Sequence, residues 1–194
     1  MKNPNIKITK TEILSANWAK LSKVTLDYTK ADGSVEEQNR EVYDRGDGAT
    51  ILLFNKEKKT VVLIKQFRLP TYLNQNESGF LIEACAGILE KEHPEETIIR
   101  EAEEETGYHL HHVKKIFQAY MSPGAVTEII HFYVAEYDDD MKKSAGGGLA
   151  SEHENIEVLE MPFETAYQMI VTGEIVDAKT IMLLQYAKIN QLID

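Results

Sequence analysis

Residues 100–108 read Arg-Glu-Ala-Glu-Glu-Glu-Thr-Gly-Tyr, and this stretch decides how the chain is interpreted. Helix-forming residues precede it from Pro94 onwards, and proline is well suited to a first helical position. Gly107 supplies a stop signal at the other end. The sequence therefore predicts a helix that begins at Pro94 and ends just before Gly107.

Three glutamates of this helix converge on one face. Glu101, Glu104 and Glu105 lie three or four residues apart, which brings side chains together on a helix surface. Their charges repel one another, and they occupy the last turns, where the helix dipole already presents partial negative charge. One interpretation is a solvated acidic face. The other is a bound divalent cation, because clustered carboxylates suit hard Mg²⁺ or Mn²⁺.

Composition and charge limit the class of protein. The 194 residues are 43% hydrophobic and 27% charged, which is typical of a globular chain that buries its own core. The net charge of -11 argues against a nucleic-acid partner, whose phosphates require a basic surface. A small phosphate ester would be repelled too, unless a cation or a local arginine cluster intervened.

Compartment is inferred from cysteine usage and hydropathy. Cys85 is the only cysteine, so an intramolecular disulfide is excluded, which is compatible with a reducing cytoplasm. No charged-then-apolar leader opens the sequence, and no apolar run approaches the length of a membrane span. We expect a cytoplasmic protein without a membrane partner.

The chain is predicted to contain a small N-terminal segment and a main domain. Residues 1–45 predict short strands with little apolar content, so we expect them to pack on the main domain or on another subunit. In residues 46–194, two apolar runs on either side of the polar loop 55–59 predict a hairpin. Strands and helices mix without regular alternation, which indicates an α+β fold.

The second half of the main domain is predicted to combine strands, a loop and two helices. The acidic, glycine-rich stretch 138–155 predicts a mobile loop. Helical patterns at about 162–171 and 178–192 close the chain. Cys85 lies in an apolar run, which favours a buried structural thiol.

The pair Ala86-Gly87 followed by the stretch 100–108 closely resembles the signature box of the Nudix hydrolases, a loop–helix–loop with glycine at its head. The resemblance implies an α/β/α sandwich with a mixed central sheet, preceded here by N-terminal antiparallel strands. It also implies that Glu101 and Glu105 bind Mg²⁺, with Mn²⁺ as a substitute, beside the backbone carbonyl of Ala86.

The same resemblance suggests roles for two more residues of the helix and shows one departure. Glu104 would be a further ligand or an orienting group, and Arg100 would pair with a carboxylate to hold the helix face. The box is one residue shorter than usual between its glycine and its helix. Its early glutamate therefore falls on Glu92 if the gap lies in the loop, or on His93 otherwise; loops tolerate deletions better, which favours Glu92.

Residues 148–156 resemble a loop that closes over the site in Nudix enzymes acting on ADP-sugars and GDP-mannose. Hydrolysis requires a general base, and the box glutamates would be occupied by metal. The resemblance implies that Glu154 is a late metal ligand and Glu152 the base, with the two roles open to exchange. The alternative is an acidic loop without a role.

Four further stretches, 40–53, 61–68, 120–137 and 176–180, resemble the members of the family that act on GDP-mannose. The resemblance implies hydrolysis of GDP-mannose to GMP and mannose 1-phosphate by a homodimer whose N-terminal strands, residues 1–45, contribute to the partner's site. It also implies substrate contacts. Arg68 would contact phosphate, and Lys179 would meet the ligand from the C-terminal helix. Trp18, Arg40 and Glu41 would reach the nucleotide, Trp18 through base stacking. Glu128 would bind sugar hydroxyls or the leaving phosphate region, and Gly87 would line the site.

Several alternatives stay open at this point. Trp18 is equally a core or dimer-interface aromatic. ADP-ribose or another ADP-sugar would undergo the same chemistry with a different base pocket. A module that senses a nucleotide sugar without turnover, and an unrelated acidic interaction domain, are alternatives from other functional classes.

Overall fold

A computed structural model describes residues 5–89, 93–149, 151 and 154–193. The chain forms two compact units. One comprises residues 1–47 and 120–129, and the other comprises residues 48–119 and 130–194. Glu92 and Glu152, two of the predicted site residues, lie outside the described residues.

The first unit contains a three-stranded antiparallel sheet. Its strands are β1 (Asn5–Ala16), β2 (Lys20–Thr29) and β3 (Val35–Asp44), in the order β1-β2-β3. The strands are longer than the short ones predicted, because tight reversals such as the one at Gly33, with φ of 88°, leave most of the segment free to pair. Five large apolar side chains of this sheet are exposed, namely Ile6, Ile8, Ile13, Leu14 and Val35.

The second unit contains a mixed sheet. The strands β4 (Gly48–Asn55), β5 (Thr60–Phe67), β8 (Lys114–Tyr120), β9 (Ile129–Glu136) and β10 (Glu157–Pro162) lie in the order β10-β5-β4-β9-β8. Strands β4 and β5 form the predicted hairpin, whereas β4 runs parallel to β9. Two short strands, β6 (Phe80–Glu83) and β7 (Cys85–Ile88), pair with β5 and β4 respectively.

The helices that pack on this sheet are α2 (Pro94–Thr106), α3 (Phe163–Thr172) and α4 (Ala178–Ile189). A short helix, α1 (Leu69–Leu73), follows β5. Every residue of β4 is buried, and because successive side chains point to opposite faces, both faces must be covered. On one face Ile51 and Leu53 join the core cluster of α2 through Ile98 and Ala102, and α4 also packs on β4. The α+β sandwich with a mixed sheet and N-terminal antiparallel strands is confirmed.

The ends of α2 follow from its sequence. The side chain of His93 caps the helix by accepting a hydrogen bond from the Glu95 N–H at 3.4 Å. Gly107 adopts a left-handed conformation with φ of 80°, which glycine adopts without steric cost, and its N–H donates to the Glu103 carbonyl. His93, one of two candidates for the early box glutamate, therefore serves the helix start.

The glycine-rich stretch is anchored where we expected a mobile loop. The N–H groups of Gly147 and Gly148 donate to the carbonyls of Glu105 and Glu104 at 2.9 and 3.1 Å. These are carbonyls of the last turn of α2, which have no partner within the helix. The stretch thus satisfies the helix end and lies next to the acidic face.

Short helix α1 was not predicted, because residues 71–79 are polar and contain no helical periodicity. Among the described residues, none of the helices has the length and apolar character needed to cross a membrane.

Candidate active site

The site begins where the chain changes strand partner. Glu83 pairs with Ile64 of β5, and Cys85 pairs with Ile51 of β4. Ala84 lies between the two ladders, and its N–H donates to the hydroxyl of Thr180 at 2.7 Å. The C-terminal helix α4 therefore holds the chain at Ala84, the residue directly before β7.

Two glutamates of α2 pack closely against β7. Glu105 is 2% exposed, and its carboxylate accepts a hydrogen bond from the Ala86 N–H at 3.2 Å. Glu101 lies over Gly87, where an added Cβ would come within 2.3 Å of the glutamate side chain. Glycine at position 87 thus makes room for the Glu101 carboxylate beside Ala86.

Burial and mutual repulsion raise the pKa values of both carboxyl groups. Burial, together with the charges of Glu101 and Glu154, raises the pKa of Glu105 to about 8, against the lowering effect of hydrogen bonds from Cys85 and Ala86. Burial likewise raises the pKa of Glu101 to about 7, with repulsion from Glu104 and Glu154 opposed by Arg100. The metal-free protein thus disfavours the ionised form of both carboxyl groups.

Arg100 and Glu104 form the outer part of this cluster. The guanidinium of Arg100 donates to Glu104 at 2.8 Å and to Glu101 at 3.0 Å. It therefore lies against two of the three converging glutamates, whereas Glu105 is turned toward β7.

Glu154 approaches the same cluster from the loop after Gly148. Its carboxylate accepts a hydrogen bond from the Leu149 N–H at 2.9 Å, and its own N–H donates to the Leu149 carbonyl at 3.3 Å. An added Cβ at Gly148 would come within 2.4 Å of the carboxylate. Since Gly148 is itself bonded to the end of α2, Glu154 is brought to the carboxylates of that helix.

A second cluster contains two cations. Glu83, almost completely buried, accepts hydrogen bonds from Arg68 Nε at 2.7 Å and from Lys179 Nζ at 2.5 Å. Lys179 also donates to Asp177 at 2.9 Å. The structure thus brings together Arg68 and Lys179, two predicted ligand contacts that are far apart in sequence.

Known families match both parts of the chain. Residues 5–43 match the family model described as the GDP-mannose pyrophosphatase NudK N-terminal domain, and residues 44–184 match the NUDIX domain. The chain belongs to the Nudix family. It is accordingly a hydrolase that acts on pyrophosphate bonds.

Curated Nudix relatives are similar over nearly their whole length. GDP-mannose pyrophosphatases from Shigella dysenteriae serotype 1 and from Escherichia coli O157:H7 are each 57% identical over 97% of this chain and 98% of their own. The enzyme of the same name from Escherichia coli O1:K1 is 56% identical over the same shares.

The donor set fits the divalent cations that Nudix hydrolases generally use. Glu101, Glu105 and Glu154 offer carboxylate oxygens, which hard cations prefer. A cation would compensate the burial and the mutual repulsion that raise the pKa values of Glu101 and Glu105. Within the described ranges, which omit Glu152, no three acidic or histidine side chains converge tightly enough to form a complete ligand set. Backbone carbonyl and water oxygens would complete it.

The remaining predicted residues belong to the first unit. Trp18 is 71% exposed, so the interpretation as a core aromatic of this chain is wrong, while base stacking and an interface stay open. Arg40 donates to the Asn39 carbonyl and to Gln38, and Glu41 is exposed on β3. Glu128 is buried and paired with Arg45, a partner that the sequence did not suggest.

Local patterns in the sequence do not single out three residues of the site, Glu83, Asp177 and Thr180. Glu83 left one signal, an acidic residue inside an apolar run that is otherwise suited to a buried strand. Asp177 and Thr180 lie in the stretch 176–180, which was noted only for its resemblance. Asp177 caps α4 by accepting from the Thr180 N–H at 2.9 Å.

A pH-dependent stability follows for the metal-free protein. A carboxyl group whose pKa is raised by folding contributes stability below its unfolded pKa of 4.5, and this contribution is lost as the pH rises through about 7 to 8. Glu105→Gln removes one such group. With a chelator present, we expect this variant to have a larger free energy of unfolding than wild type at about pH 8. The difference should disappear at about pH 5.

Urea unfolding at both pH values measures this difference, with Glu164→Gln, a change at an exposed residue of α3, as the control. A Glu105→Gln variant that is less stable than wild type at the higher pH would contradict the assignment.

Proposed function

We propose that this Nudix hydrolase cleaves the pyrophosphate of GDP-mannose to give GMP and mannose 1-phosphate, with Mg²⁺ as cofactor and Mn²⁺ as a substitute. The observation that carries the proposal is the 57% identity over 97% of the chain to proteins named GDP-mannose pyrophosphatase. The similarity extends through the N-terminal segment, which lies outside the Nudix domain.

Glu101, Glu105, Glu154 and the carbonyl of Ala86 would hold the cation. When bound, the cation supplies Lewis-acid stabilisation of the charge that develops on the phosphate oxygens. Glu104 would complete or orient this set, supported by its ion pair with Arg100. The placement of Glu101 and Glu105 against β7 supports these roles, because it fixes both carboxylates beside the Ala86 backbone.

In the reaction a water oxygen forms a bond to one phosphorus while the bond from that phosphorus to the bridging oxygen breaks. The water proton passes to a carboxylate, for which we propose Glu152, with Glu154 as the alternative. Arg68 and Lys179 would bind the diphosphate, since a planar guanidinium fork suits paired phosphate oxygens.

The rest of the substrate would be recognised by residues of the N-terminal unit and by Gly87. Trp18 offers an exposed ring on which a purine base could stack, and Arg40 and Glu41 offer polar groups for the nucleotide. Glu128 would bind sugar hydroxyls, with Arg45 fixing its carboxylate.

Product analysis tests this function. The protein is incubated with GDP-mannose or with ADP-ribose, each with Mg²⁺ or with chelator. We expect Mg²⁺-dependent GMP and mannose 1-phosphate and little AMP from ADP-ribose. A preference for ADP-ribose would overturn the substrate, and binding without turnover of either would favour a sensing module.

Three isosteric variants then separate the carboxylate roles in the same assay. Glu105→Gln should lose nearly all turnover. Glu152→Gln should lower kcat by about 100-fold, the contribution of a general base, with little change in the Mg²⁺ requirement. Glu154→Gln should instead raise the Mg²⁺ concentration needed. The opposite pattern at residues 152 and 154 would exchange their roles.

We also propose a homodimer in which residues 1–45 act as a dimerisation arm. Its support is the exposure of large apolar side chains along this segment, which is more than an isolated sheet of this size should present to water. Those side chains are Ile6, Ile8, Ile13, Leu14, Trp18 and Val35.

Light scattering coupled to size exclusion tests the dimer. Wild type should elute at twice the chain mass of 22.0 kDa. Ile8→Lys or Ile13→Lys should shift the mass toward one chain, because a buried lysine would oppose association. Ile189→Lys, at an exposed position of α4, is the control that should stay dimeric. A monomeric wild type would contradict the proposal.

A further inference from the structure

Glu83 is a charged residue in an interior position. It ends β6 as the partner of Ile64, and only 2% of its surface is exposed. A buried carboxylate is costly unless charged or polar groups compensate it. The buried carboxylate therefore requires its charged partners, and in turn it restricts the positions of their side chains.

Both oxygens of Glu83 are used by cations. One oxygen accepts from Arg68 Nε, and the other accepts from Lys179 Nζ. These partners belong to segments 15 and 96 residues away in the chain. Since both oxygens already accept bonds from charged donors, Glu83 is poorly suited to take a proton and well suited to fix two side chains.

The geometry leaves the terminal nitrogens of Arg68 available. Arg68 binds Glu83 through its inner nitrogen Nε, and its side chain is 39% exposed. A guanidinium held by its inner nitrogen is fixed in orientation and still presents its two terminal nitrogens. Lys179 is held more tightly, between Glu83 and Asp177, with 13% of its side chain exposed.

Glu83 is also tied to the strand of the carboxylate cluster. It stands three residues before Ala86, and the Ala84 N–H between them is bound by Thr180. Thr180 in turn donates its hydroxyl proton to Asp177 at 2.6 Å, the residue that holds Lys179. One continuous set of hydrogen bonds therefore links the cation pair to the backbone that precedes Ala86.

We propose that Glu83 is a positioning residue that sets Arg68 and Lys179 in register with the cluster of carboxylates, so that both cations meet the diphosphate of the substrate. The inference rests on the proposed function, in which these two cations bind that diphosphate. Removing the shared counter-charge would let Arg68 rotate and would make the two cations repel each other.

Two substitutions of Glu83 test this role by steady-state kinetics with GDP-mannose and Mg²⁺. Glu83→Gln should lower kcat/KM by about 10- to 100-fold, as loss of an orienting partner typically does, mainly through KM. The Mg²⁺ concentration for half-maximal activity should change less than about twofold, because no proposed metal ligand is altered. Glu157→Gln, at an exposed carboxylate paired with Lys65, should leave all constants unchanged.

Glu83→Asp guards against a variant that simply fails to fold. It keeps the charge but withdraws the carboxylate by one methylene, so that both cations cannot be reached at once. Its urea midpoint should stay closer to wild type than that of Glu83→Gln, while KM still rises. A Glu83→Asp variant with wild-type KM would overturn the proposal.

A double-mutant cycle with Arg68→Ala distinguishes positioning from general structural support. If Glu83 acts through Arg68, then Glu83→Gln should lower kcat/KM much less in the Arg68→Ala variant than in wild type. Additive losses in the cycle would overturn the proposal, since they would mean that Glu83 acts independently of this arginine.

The proposed function and this inference fail in different ways. A wild-type protein that does not hydrolyse GDP-mannose would refute the proposed function. In that case, isothermal titration calorimetry measures the affinity of wild type, both single variants and the double variant for inorganic pyrophosphate in the presence of Mg²⁺. Coupling between residues 83 and 68 in pyrophosphate affinity would support the positioning role, and additivity would overturn it.

Discussion

The close approach of helix α2 to strand β7 is the constraint on which the rest of the site depends. It buries the carboxylate of Glu105 beside the Ala86 backbone and lays Glu101 over Gly87. The Glu101 carboxylate could not take this place if the residue at position 87 carried a side chain. Water solvates both carboxyl groups poorly here, and the raised pKa values of Glu101 and Glu105 express the cost of ionising them.

The chain changes its pairing partner from β5 to β4 at Ala84. This change allows the approach of α2 to β7, and it also positions Arg68 and Lys179. The chain pairs with β5 up to Glu83 and with β4 from Cys85 onwards. Residues 83–87 therefore serve both clusters. Glu83 supplies the counter-charge for Arg68 and Lys179, and the backbone at Ala86 lies beside the carboxylates of α2. A shift of this strand would displace both clusters together, which explains why α4 binds it through Thr180.

Three glycines, Gly107, Gly147 and Gly148, lie at the C-terminal end of α2 and complete its hydrogen bonding. Gly107 ends α2 in a left-handed conformation, and Gly147 and Gly148 donate to carbonyls of its last turn. Gly148 also leaves room for Glu154. The segment that hydrogen-bonds the free carbonyls at the end of α2 therefore also brings the Glu154 carboxylate to the cluster. Capping of the helix and assembly of the site depend on the same contacts.

Local patterns in the sequence were enough to predict α2 with both of its ends, the β4–β5 hairpin and the α+β class. They also predicted that Glu101, Glu104 and Glu105 share a face, because helical spacing is a local property. They could not predict the partner change at Ala84 or the pairing of Glu83 with Lys179, which joins residues 96 positions apart. Arg45 was missed for the same reason, since its partner Glu128 lies on a distant segment.

A divalent cation that binds at the buried carboxyl groups of α2 should displace protons from them. Calorimetric titration of the metal-free protein with Mg²⁺ near pH 7, repeated in two buffers of different ionisation enthalpy, measures this directly. With pKa values of about 7 and 8 for Glu101 and Glu105, binding should release roughly one proton or more, and less from Glu105→Gln. Mg²⁺ binding without proton release at that pH would contradict the account.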